Sequence, residues 1–120
     1  MTNTRVTYDW NGETIDFSAW ADDAYGNFYY TSRDGSAEFE FELWWTGSEV
    51  RIQIRKQPTY QGRCRCGECT HRLGLGSDPP DPYVCVKGEL APTNVPDALS
   101  WTVYWAEETV TYIRTGIKFS

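Results

Sequence analysis

Residues 64 to 71 read Cys-Arg-Cys-Gly-Glu-Cys-Thr-His and hold three of the four cysteines and the only histidine. Cys66-Gly-Glu-Cys69 is a C-x-x-C, a spacing that lets two thiolates reach one tetrahedral ion from a tight turn. Cys64 and His71 flank that pair, and Cys85 lies beyond a Gly/Pro-rich stretch. Five candidate ligands thus compete for four positions, and Cys64 or Cys66 with Cys69, His71 and Cys85 is the preferred set. The chemistry expected is a structural zinc site, with Arg63, Arg65 and Arg72 offsetting the thiolate charge. A second C-x-x-C at zinc-ribbon spacing is missing. One or two disulfides are the competing reading, to be favoured in an extracellular protein. Unligated thiols, with His71 as an ordinary loop histidine, are the plainest account. A nucleophilic or redox thiol needs a lowered pKa, which the arginines would help supply.

Other groups have weaker claims. Glu38, Glu40 and Glu42 form a row of carboxylates. They alternate with Phe39, Phe41 and Leu43, so a solvated strand face accounts for them better than a glycosidase acid/base pair. Trp20, Tyr29, Trp44, Tyr104 and Trp105 fall opposite the apolar parity or at strand ends. Such aromatics anchor protein partners, stack on sugars, or lie under a second layer. Asp22 and Asp23 lack an EF-hand pattern, and a solvated loop explains them more simply than calcium. Neither a phosphate-binding Gly-rich loop nor a catalytic Ser/His/Asp spacing is legible.

The elements expected to carry these groups are strands. Asn11-Gly12 joins Arg5–Trp10 to Glu13–Trp20, pairing Tyr8 with Ile15 and Val6 with Phe17. Asp34-Gly35 joins Asn27–Arg33 to Ser36–Trp45, pairing Tyr30 with Phe39 and Phe28 with Phe41. A turn at Thr46-Gly47 then sets Leu43 against Val50, Phe41 against Ile52 and Phe39 against Ile54. On the other face it sets Glu42 against Arg51, Glu38 against Arg55 and Glu40 against Gln53. Residues 58–82 form a Cys-rich loop inserted between strands, within which Asp78-Pro79-Pro80-Asp81-Pro82 forbids a helix or central strand. Tyr83–Leu90 reads as a strand and Ala91–Ser100 as a connection. Trp101–Trp105 and Glu108–Arg114 read as a last hairpin, with a bulge at Gly116. The expectation is therefore all-β: one domain over 1–120, an antiparallel sandwich or flattened barrel of about eight strands.

Size and charge narrow the function class. With 120 residues the chain suits a single domain. Net charge is −6, but residues 51–75 carry six bases against one acid, while residues 1–50 carry ten acids against two bases. An acidic body argues against direct nucleic-acid binding. The amino terminus has no apolar run resembling a secretory signal, and no segment is long enough to span a membrane. The expected compartment is the cytoplasm, of a bacterium or a phage-infected host. The leading functional expectation is a small acidic non-enzymatic module that binds and inhibits a protein. Examples are immunity proteins and phage anti-defence inhibitors, some occupying a nucleic-acid site by charge imitation. Glu38, Glu40, Glu42, Trp20, Trp44 and Trp105 are its expected contact residues. A carbohydrate-binding sandwich using exposed Trp and Tyr is the alternative, and a virion or assembly component the next.

Overall fold

The computed structural model describes the backbone of residues 3–10, 13–20, 26–86 and 88–118, and the side chains of 28–86 and 88–118. The chain runs β1 (Asn3–Trp10), β2 (Glu13–Trp20), β3 (Gly26–Thr31), β4 (Glu38–Trp45) and β5 (Val50–Lys56). A short helix α1 (Gly67–Thr70) follows, then β6 (Arg72–Leu73) and β7 (Tyr83–Val84). A 3₁₀ turn at Gly88–Leu90 leads into a long helix, α2 (Val95–Thr115). β1 and β2 make a two-stranded sheet, and the other five strands form one antiparallel sheet in the order β3-β4-β5-β7-β6.

Two hairpins carry the expected register. Tyr8 meets Ile15 and Val6 meets Phe17 in the first. Tyr30 meets Phe39 and Phe28 meets Phe41 in the second. Its turn is closed by Asp34, whose carboxylate accepts from the Ser36 N–H (2.9 Å), the Ser36 hydroxyl (2.6 Å) and the Ser32 hydroxyl (2.8 Å). These bonds hold the Asp34 carboxyl down to about 2.

The β4–β5 pairing differs from expectation by two residues. Leu43 meets Ile52, Phe41 meets Ile54, Trp44 meets Arg51 and Glu42 meets Gln53, with a bulge beyond Glu40. The turn is longer than two residues because Thr46 closes it. Its N–H donates to Glu49 O (2.9 Å), and its hydroxyl accepts from the N–H groups of Ser48 (3.4 Å) and Glu49 (3.2 Å). A slip of two preserves which side chains face the core, so hydrophobic alternation does not distinguish the registers.

The larger correction is at the C-terminus. The expected final hairpin is one 21-residue helix, and the fold is a mixed small fold, an antiparallel sheet with a C-terminal helix, in place of an eight-strand sandwich. Val95, Ala98, Leu99, Thr102, Val103, Ala106, Thr109 and Val110 recur at helical spacing and are buried. The Asn94 side chain accepts from the Asp97 N–H (2.9 Å), Pro96 sits in the first turn, and Gly116 ends the helix at φ +78°. Tyr83–Leu90 is likewise strand for only two residues.

α2 packs on the inner face of the sheet, where Phe28, Phe39, Phe41, Ile52 and Leu99 are at most 2% exposed. Trp105 meets Phe39 and Phe41 edge-on, centroids 5.9 Å apart in each case. Glu107 is buried with them; its Oε2 accepts from the Tyr30 hydroxyl (2.6 Å) and the Arg33 N–H (3.0 Å). Burial and the adjacent carboxylate push the Tyr30 hydroxyl well above its usual range. No helix of the described residues is long and apolar enough to cross a membrane.

Candidate metal centre

The cysteine loop has little regular structure, and polar contacts hold it to the end of α2. The Tyr112 hydroxyl donates to Cys64 O (2.8 Å). Arg63 donates to Ile113 O (3.2 Å) and Arg114 O (3.3 Å), occupying carbonyls that the helix end leaves open. The Trp105 indole N–H donates to Thr70 O (3.0 Å). The Arg72 guanidinium is buried over the Tyr60 ring at 4.8 Å, donating to the Thr70 hydroxyl (2.9 Å) and Arg65 O (2.8 Å). Tyr60, Cys69 and Tyr112 close a small apolar cluster beneath the loop.

Within this frame the C-x-x-C turn is set locally. Cys66 caps α1, its sulfur accepting from the Cys69 N–H at 3.4 Å. Gly67 cannot carry a side chain: a Cβ there would lie 2.5 Å from Arg72 O. His71 closes the turn in the left-handed region (φ 52°, ψ 48°), its N–H donating to Gly67 O.

The sulfurs of Cys64, Cys66 and Cys69 lie within 4.8 Å of one another. Cys64 and Cys66 are 3.2 Å apart and exposed, whereas Cys69 is buried. Three thiolates around tetrahedral zinc stand roughly 3.8 Å apart, given Zn–S bonds of about 2.3 Å. The cluster brackets that separation, and its donors are those that soft and borderline ions prefer. Bonds from the Cys69 N–H and the Cys64 thiol bring the Cys66 thiol down to about 7. Cys69 moves up to about 11, chiefly because its proton is held between the Cys64 and Cys66 sulfurs.

The predicted five-residue set is thus only partly assembled. Neither a His71 ring nitrogen nor Cys85 Sγ joins the three sulfurs within 4.8 Å. The two residues are neighbours through their backbones, the Cys85 N–H donating to His71 O (2.9 Å). Arg63 and Arg72 bind carbonyls and a hydroxyl, which assigns them to holding the loop. The structure links none of the four cysteines in a disulfide. Sequence reasoning missed Tyr60, Trp105 and Tyr112 as supports of the loop. The Asn94 cap and Gly116 were the signals that could have placed Trp105 and Tyr112 on a helix.

The expected contact residues also separate. Trp105 is 1% exposed and is core. Trp20, Asp22 and Asp23 lie outside the residues whose side chains are described. Glu38, Glu40, Glu42 and Trp44 share the sheet face opposite α2. There Glu42 accepts from Arg55 Nε (2.9 Å) and Nη2 (2.7 Å), Arg55 also reaches Asp81 (2.7 Å), and Lys56 lies 3.5 Å from Glu38. Arg51 lies over the rings of Tyr83 (4.3 Å) and Trp44 (5.3 Å). No family model, curated protein or solved structure matches the chain.

Proposed function

We propose that the protein is a non-enzymatic binding module, with zinc held by Cys64, Cys66 and Cys69 fixing the loop and a protein partner docking on the sheet face opposite α2. The observation that carries the reading is a set of exposed aromatic and apolar side chains on the face opposite α2. α2 buries one face of the sheet, while the other leaves Tyr29 62%, Leu73 45% and Trp44 38% exposed. Aromatic side chains held on a rigid sheet are the anchors that protein interfaces favour, and little side-chain entropy is lost when they are covered. The acids contribute less than their number suggests, because Arg55 and Lys56 engage Glu42 and Glu38 within the same face. An inhibitor of this design binds through Tyr29 and Trp44 first, with Glu40 meeting a basic group on the partner. Zinc supplies a cross-link for a loop whose apolar cluster is small.

The test places a photo-crosslinking residue at position 29, and separately at the exposed Arg114 near the end of α2. A defined protein adduct from position 29 that disappears with Trp44→Ser supports the reading. Equal adducts from both positions overturn it, as does binding to a glycan array with no protein adduct. An adduct only to a second copy of the chain transfers the surface to self-assembly.

A further inference from the structure

Resting on the reading of Cys64, Cys66 and Cys69 as a metal site, we propose that the bound ion has a fourth, exchangeable position that takes an imidazole donor from outside the chain. Structural zinc sites enclose the ion with four protein ligands, whereas sites that exchange a ligand use three and leave one position open. The three sulfurs here converge, and His71 and Cys85 do not join them. Every cysteine and the only histidine of the chain are among the described residues, so no further thiol or imidazole remains to complete the set.

The two remaining candidates are joined to each other through their backbones. His71 is fixed as the left-handed cap of α1, and its carbonyl is tied to the Cys85 N–H. The exposure of Cys64 and Cys66 puts two sides of the cluster at the solvent, where an external group can approach. Charge selects the type of donor. Zinc with three thiolates already carries a net negative charge, and the nearby Arg63 and Arg72 are committed to carbonyl oxygens. A neutral imidazole adds no further anion, whereas a fourth thiolate does.

Cobalt substitution of the full chain tests this, because the visible bands of Co(II) report its ligand set. The expected result is a 1:1 complex with three-thiolate charge-transfer intensity, whose visible bands shift saturably on adding imidazole. His71→Ala and Cys85→Ser should leave both the starting spectrum and the shift unchanged. A shift that instead grows with protein concentration and vanishes in His71→Ala identifies the donor as His71 of another copy, still from outside the chain. Bands indifferent to imidazole, together with a spectrum altered in dilute Cys85→Ser or His71→Ala, overturn the open position but keep the metal site. Absence of cobalt and zinc binding removes the metal reading itself, and a cobalt spectrum unaffected by Cys64→Ser removes the three-cysteine site and the open position with it. Cys64 is exposed, so that variant tests the ligand without opening the core.

Discussion

The sheet–helix core and the cysteine loop are held in opposite ways. Between β3, β4, β5 and α2, apolar side chains meet over a continuous inner face, with Phe41, Leu99 and Val103 essentially inaccessible. Burial there is non-directional, and many neighbours share the loss of any one contact. The loop over residues 60–72 has a three-residue apolar cluster and a set of directed bonds: Tyr112 to Cys64, Arg63 to the end of α2, Arg72 to Arg65, Trp105 to Thr70. Each such bond adds only about 1 kcal/mol net, yet it fixes a geometry that burial alone cannot. The contrast teaches that the core sets whether the chain folds, while the polar ties set where the three sulfurs stand.

Substitutions can break this contrast at three strengths. Phe41→Ala removes a fully buried ring that stacks on Phe39 and meets Trp105. It should lower global stability by about 3–5 kcal/mol, read from the denaturation midpoint at unchanged slope. A loss below about 1 kcal/mol would mean that α2 does not pack on this face. Trp105 joins the two regions, since its ring is core and its N–H holds the loop. Trp105→Phe should cost about 1–3 kcal/mol and expose the amides of residues 64–72 to hydrogen exchange more than those of β4. Uniform loss of protection would dissolve the distinction between the regions.

The smallest effect lies outside both, in the β3–β4 turn. The Asp34 carboxyl is held below its ordinary value, so the ionised form stabilises the fold. That contribution is present above about pH 4 and is lost as pH falls through about 2. Because Asp34 is exposed, Asp34→Asn should cost less than about 1 kcal/mol near neutral pH. The difference from the parent protein should vanish below about pH 2. A difference that persists there would assign the effect to turn geometry and not to charge.

Legibility followed the range of the forces involved. Asp34-Gly35 and the alternation around it specify a local hairpin, and the pairing of Tyr30 with Phe39 was readable from them. The β4–β5 register was not, because either register buries Phe41 and Leu43 and the choice fell to the Thr46 hydroxyl. The helix at 95–115 hid behind Trp, Tyr, Val and Thr, residues that favour strands by local propensity. Its Asn94 cap, Pro96 and Gly116 stood in the sequence as opposing signals. The C-x-x-C spacing brought Cys66 and Cys69 together as read, and Cys64 joined them two residues away. Proximity along the chain and loop favours His71 and Cys85, but it says nothing about where the capped turn directs a side chain.

The sequence by itself thus determined the local objects: the first two hairpins, the amphipathic strands, the cysteine turn and the surplus of aromatic side chains. Only the tertiary structure decided that α2 is a helix laid on one face of the sheet. That placement buried Trp105 and left Tyr29 and Trp44 outside, and it brought Tyr112 under the cysteines. The physical reason is that turns and alternation are encoded by neighbours a few residues apart. Which face is covered, and which thiols converge, depend on burying apolar surface between segments tens of residues apart.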